Sequence, residues 1–169
     1  MAFWYFWIYS FLGYLLEKGF AKLTRAELQG RKCFLFLPLC PVYGLGMLAV
    51  LAFPQKSVVW QMLWGAAAAT AVEYLVHWAY ETLFHVCFWD YSNLPGNLYG
   101  RVCLPFSVIW GGLTAFSVWL LQPGVELAAA RVPPEITWIV LQIFAVDALL
   151  SAKCLWKTGD PESLSAKNW

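Results

Sequence analysis

Charge is scarce in this sequence: 11 Lys and Arg and 10 Asp and Glu stand among 169 residues, 12% against 61% hydrophobic. Soluble domains average about 25% charged and roughly 45–50% apolar residues. Too few charges remain to cover an apolar mass of this size, so a water-exposed surface is excluded and lipid is the solvent that fits. The mean hydropathy of +0.60 agrees. A net charge of +1, with no basic run interleaved with aromatics, excludes nucleic acid as a partner. Chemical signatures are missing as well. No GxxxxGK[ST] occurs, so the chain has no Walker-type site for ATP, and HExxH, G-x-S-x-G and GxGxxG are absent. No ATPase or hydrolase motif therefore points to an enzyme. The five cysteines form no CxxC pair, which predicts neither a disulfide framework nor a zinc ribbon. MAFWYFWIYS lacks the basic start and small-residue cleavage site of a secretory signal, and is expected to be a retained first helix.

What is present is aromatic and apolar. Eleven Trp, eight Tyr and 12 Phe suit a membrane, whose interfaces favour Trp and Tyr. A spanning helix needs about 20 mostly apolar residues. Five stretches qualify, near 2–16, 34–53, 58–84, 102–121 and 136–156. The fold expected is an all-α polytopic transmembrane bundle over 1–156, followed by a cytoplasmic tail, 157–169. The second span contains Pro38, Pro41, Gly44 and Gly46 and is expected to be broken. LQPGVELAAARVPPE reads as an outer loop. Gly65, Ala69 and the small residues between them predict close helix packing.

The basic residues divide unevenly between the two ends. Lys18, Lys22, Arg25, Arg31, Lys32, Arg101, Lys153, Lys157 and Lys167 gather at one, leaving Lys56 and Arg131 at the other. The positive-inside rule then predicts an outer N-terminus and a cytoplasmic C-terminus, which requires an odd number of spans. Cys33, Cys87, Cys103 and Cys154 fall near cytoplasmic ends and are expected to stay reduced, while Cys40 lies inside the second span.

Ionisable groups inside a membrane are costly and mark functional sites by default. In the third span Glu73, His77, Glu81 and His85 recur every four residues. Each step turns about 400°, so neighbours share a face about 6 Å apart along the axis. Such a row suits a cation, a proton relay or interhelical hydrogen bonding, with Ser107, Thr114 or Lys153 as packing partners. Glu73, His77, Glu81 and His85 are the candidate metal ligands; no other cofactor is predicted. Glu17 ends the first span, with Lys18 or Arg101 as expected partner. Asp147 lies midway along the fifth span and is expected to close a pocket floored by Glu73. Tyr43 stands beside the break in the second. Together they predict a polar vestibule open to the cytoplasm. The inner loop WDYSNLPGNLYGR, rich in turn formers, is expected to fold back on the bundle as a lid or docking surface through Trp89, Asp90, Tyr91, Ser92, Asn97 and Arg101.

FLGYLLE, LPLCPVYGLG, VEYL with the later Glu81, and above all FHVCFWDYSNLPGNLYGRVCL resemble the CmpB-type putative ABC-transporter permease family, over roughly residues 8–115. The resemblance implies a multi-pass permease component of a bacterial plasma membrane, with a separate ATP-binding subunit as partner. By position it carries over to Glu17, Pro41, Tyr43, Gly44, Glu73, Tyr74, Glu81, Trp89, Asp90, Tyr91, Ser92, Asn97, Gly100 and Arg101. His77 departs from that pattern, which expects a small or polar residue there. The reading is a small permease- or channel-like membrane transport protein with a cytoplasm-facing acidic and histidine site for a cation, proton or small substrate. Five short spans make a thin wall around a pathway, which suits a homo-oligomer. A membrane-embedded enzyme acting on a lipid or lipophilic substrate, and a membrane scaffold or assembly partner of a transporter complex, are the alternatives.

Overall fold

The computed structural model describes residues 1–23 and 33–164; Arg25, Arg31, Lys32 and Lys167 lie outside the described residues. Among the described residues the chain is helical, without a β-strand. The helices are α1 (Ala2–Leu23), α2 (Pro41–Ala52), α3 (Val58–Phe84), α4 (Leu104–Phe116), α5 (Gln122–Ala130) and α6 (Pro134–Thr158). A widened π turn, Ser117–Leu121, joins α4 to α5 as one rod.

Contacts between the ends show that successive helical rods run in alternating directions. Trp4 at the start of α1 donates to Thr137 at the start of α6, and Tyr9 donates to Gln122 at the start of α5. At the opposite end Glu17 meets Tyr43 of α2, and Leu155 of α6 packs with Val86 and Phe88 just beyond α3.

The face that α3 turns inward is polar and small, and its outer face is apolar. Along α3 the buried positions Gln61, Gly65, Ala69, Glu73 and His77 recur at four-residue steps, while Val58, Val59, Trp60, Leu63, Leu75, Trp78 and Leu83 are exposed. In water that arrangement would leave a long apolar stripe unsolvated; in lipid it satisfies both faces. Trp60 and Trp138 are exposed near one end and Trp156 near the other, as interfacial belts require. Leu104–Ala130 and Pro134–Thr158 are long and apolar enough to cross a membrane. The helices α1 and α3 have 22 and 27 residues, but their Trp, Tyr, His and Glu lower their hydropathy.

Small residues set the α3–α4 contact. A Cβ on Gly65 would collide with the side chain of Thr114, and one on Gly111 would come 2.8 Å from the Met62 carbonyl oxygen. The two helices therefore approach too closely for a side chain at either glycine.

The stretch expected as an outer loop is helical: α5 continues the rod through Gln122, Val125 and Ala129, which are buried. Pro123 removes a backbone donor and crowds the preceding turn, and the π turn just before it absorbs the misfit without ending the helix.

The break in the second pass is sharper than a proline kink. Residues 33–40 are non-helical, and α2 begins at Pro41, whose missing N–H costs nothing at a first helical position. Lipid cannot satisfy the freed backbone groups, and neighbouring elements do so instead. Leu37 N–H donates to the Asp147 carboxylate at 3.3 Å, Phe36 N–H to Ser151 Oγ at 3.3 Å, and Cys40 N–H to the Ser10 carbonyl at 2.9 Å.

Cys33 and Cys40 are joined as a disulfide across this segment, with Cα atoms 4.9 Å apart. The expectation of a chain without disulfides is thus corrected. A search for two intervening residues misses a pair that becomes adjacent only because residues 34–38 bend back. Closing a loop of this length stabilises by about 2–3 kcal/mol in the chain-entropy account. Reductant should accordingly lower the thermal midpoint of the wild type and leave that of Cys40→Ser unchanged.

Candidate functional site

Glu73 is 2% exposed at the centre of the bundle. The Tyr91 hydroxyl donates to its Oε1 at 3.1 Å and the Trp110 indole N–H to its Oε2 at 2.8 Å. One donor comes from the loop after α3 and the other from α4, so the carboxylate ties three parts of the chain together. Tyr43 stands edge-on to Trp110, with ring centroids 5.2 Å apart, and donates to Glu17 Oε1 at 2.6 Å. Glu17 itself is 8% exposed. The two buried glutamates are thus bridged by an aromatic pair.

Glu73, Tyr43 and Trp110 open onto a chamber of about 150 Å³ between α1, α2, α3 and α4, walled also by Leu12, Met47 and Phe116. Phe116 and Ser117 bring the start of the π turn to its wall.

One turn further along α3 the ladder changes character. His77 is 5% exposed. Its Nε2 lies 2.9 Å from the Trp89 carbonyl oxygen, which can only accept, so Nε2 carries the proton. Nδ1 has no hydrogen-bond partner and lies 3.9 Å from Glu81 Oε2. Arg101 grips that same oxygen through Nε at 3.0 Å and Nη2 at 2.8 Å, and reaches the Tyr74 hydroxyl through Nη1 at 2.7 Å. Arg101, one of two partners expected for Glu17, therefore serves Glu81 instead. His85 leaves the row altogether: it caps α3 in the left-handed region at φ 56° and is exposed.

The inner loop folds back on the bundle. Its arms pair through Trp89 Nε1 to the Arg101 carbonyl at 2.9 Å and Tyr91 N–H to the Gly100 carbonyl at 2.7 Å. Asp90 Oδ1 accepts from Ser92 N–H at 2.8 Å and from its hydroxyl, and the Asn97 amide donates to the carbonyls of Ser92 and Leu94. The Ser92 bonds hold the Asp90 carboxyl below its ordinary range. That contribution to the loop is complete above the ordinary carboxylate pKa and is lost as pH falls below it. Gly100 has φ +70°, and a Cβ there would lie 2.6 Å from Ser92 Oγ and 2.7 Å from Asp90 Oδ1. Gly100→Ala should destabilise the loop by about 1–3 kcal/mol, seen as faster amide exchange from residues 89–101 with the helices unaffected.

Asp147 does not close the Glu73 pocket. It is absent from the chamber wall and holds the broken backbone before α2. Of the expected packing partners, Ser107 accepts from Thr70 and Thr114 donates to the Trp110 carbonyl. Trp110 was not among the candidates. The signal was available, since an indole N–H deep in a span must find an acceptor. Glu73, His77, Glu81 and His85 do not converge on one point, and among the described residues no three His, Cys, Asp or Glu side chains are grouped to hold a metal ion.

An apolar exterior around buried glutamates and a histidine defines an all-helical membrane protein. The chain belongs to the family described as "Putative ABC-transporter type IV", which it matches over residues 4–152. No curated protein and no solved structure matches it.

Proposed function

We propose that the protein is a small transport component of the bacterial inner membrane, crossing it five times, in which the chamber at Glu73 receives a cation, a proton or a small substrate. One observation carries the reading: Glu73, 2% exposed, lines a chamber between the helices instead of being packed over on every side. A purely structural hydrogen-bond acceptor needs no void beside it. Glu17 and Tyr43 extend the polar path toward the basic end, where His77, Glu81 and Arg101 sit under the loop. Asp147 serves that path indirectly by fixing the break before α2, and broken helices accompany substrate sites in transporters.

The basic end is taken as cytoplasmic, with the N-terminus outside, because Lys18, Lys22, Arg101, Lys153 and Lys157 gather there against Lys56 and Arg131 at the other. The Cys33–Cys40 disulfide pulls the other way, since such bonds persist in oxidising compartments. Charge is given more weight because it acts while the chain inserts. Labelling Lys157 with a membrane-impermeant amine reagent in intact cells decides the matter: protection supports this orientation and modification reverses it. The family and the absence of an ATPase motif favour a separate ATP-binding subunit, docked on the exposed tip of the inner loop around Asn97 and Tyr99.

In proteoliposomes, proton entry followed with an enclosed pH dye and rubidium tracer uptake test the site. Glu73→Gln, shown to be monodisperse and helical, should lower the flux at least tenfold. A variant whose flux matches wild type overturns the reading.

A further inference from the structure

We infer that the chamber at Glu73 takes a compact, singly charged organic ammonium ion carrying an aromatic or aliphatic body about one ring in size. This rests on the proposed reading of the chamber and narrows its cargo.

Size comes first. A dry cavity of about 150 Å³ lined by aliphatic and aromatic side chains accepts a molecule such as benzene, and the chamber here has about that volume. Its wall is carbon nearly throughout, including Leu12, Met47 and Phe116. The hydroxyls that reach the wall are mostly committed elsewhere. Tyr9 donates to Gln122, Tyr43 to Glu17 and Thr114 to the Trp110 carbonyl. Among the described residues Glu73 is the one carboxylic acid on the wall.

That inventory sorts the candidates. Magnesium and calcium need about six or more oxygen ligands, or retained water, and one carboxylate in a greasy wall supplies neither. An anion would meet Glu73 and be repelled. A neutral apolar molecule fits the wall but makes no use of the charge that Glu73 places there. An ammonium group paired with Glu73 and flanked by the rings of Tyr43 and Trp110 uses all three features. A cation over such rings is attracted electrostatically, more so when water is excluded. The apolar body then replaces water against the remaining wall.

The probes are benzylammonium and its uncharged counterpart of the same shape, benzyl alcohol. Binding to the full-length purified protein at pH 7 is measured by equilibrium dialysis. Benzylammonium should bind wild type at least tenfold more tightly than benzyl alcohol, and Glu73→Gln should erase that preference. A second variant guards against misfolding at Glu73. A Cβ on Gly46 meets only Ala69, at 3.9 Å, so Gly46→Leu has room at its base and fills the chamber beyond. It should abolish binding of both probes with an unchanged thermal midpoint. Equal affinity for the two probes, a preference that survives Glu73→Gln, or binding unaffected by Gly46→Leu overturns the inference. So does a wild type that binds neither probe. In each case, proton or rubidium flux that still depends on Glu73 leaves the transport reading standing and removes only the organic cation.

Discussion

Gly65→Val should leave little folded protein, at a cost of about 3 kcal/mol. Even the first carbon of the new side chain would occupy the place of the Thr114 side chain. The neighbour cannot swing away, because Thr114 is 4% exposed and its hydroxyl is bonded to the carbonyls of Trp110 and Gly111. Either α3 and α4 separate, which loosens Trp110 from Glu73, or α4 turns and loses the same bond. The measurement is the monodisperse fraction after detergent extraction, together with its thermal midpoint. Gly112→Val on α4 is the control, since a Cβ there meets nothing within 4 Å. Gly65→Val combined with Thr114→Gly should recover part of the loss, because the vacated side chain is the one in the way. A Gly65→Val protein as stable as wild type would show that this helix pair is not the rigid spine described here.

Glu73→Leu is the second large effect. Leucine resembles glutamate in length but accepts no hydrogen bond, so the Tyr91 hydroxyl and the Trp110 indole N–H each lose a buried acceptor. Each buried acceptor lost costs about 1–3 kcal/mol, giving about 2–6 kcal/mol for the pair. Stability of Glu73→Leu combined with Tyr91→Phe and Trp110→Phe should return most of the way to wild type, since removing both sides of a buried hydrogen bond is far milder than removing one. Thermal unfolding in one detergent, with all three proteins side by side, checks this. Should the single variant unfold like wild type, Glu73 contributes nothing to holding the loop and α4 to α3. Glu73→Gln keeps one carbonyl acceptor and is expected to lie between these extremes, which is why it suits the flux and binding measurements.

Much of the site was legible in the residues. The four-residue spacing of Glu73, His77 and Glu81 identified one face of α3, and that face is the buried one for Glu73 and His77. Pro38 and Pro41 announced the break before α2. The turn formers between Asp90 and Gly100 announced a loop that folds back. Partners were much less legible. Glu81 takes Arg101, 20 residues away, and Glu73 takes Trp110, 37 residues away. Asp147 was grouped with Glu73 because both are acids deep in a span, yet it supports backbone amides 110 residues earlier. Periodicity states which face of a helix a residue occupies and leaves open which neighbour that face meets. The Cys33–Cys40 pair and the helix through Pro123 were missed for a related reason: a bend in one case and a widened turn in the other bring the backbone to a place that residue spacing does not encode.

Composition alone determined the solvent: with 12% charged residues the outer surface has to be apolar, and ionisable side chains are driven inward. Tertiary structure decided what those inward groups do. Hydrogen bonds are short-ranged and directional, so whether a buried glutamate supports backbone, pairs with arginine or faces a cavity depends on placements of an ångström or so. Those placements are set by how closely α3 and α4 approach at Gly65 and Gly111.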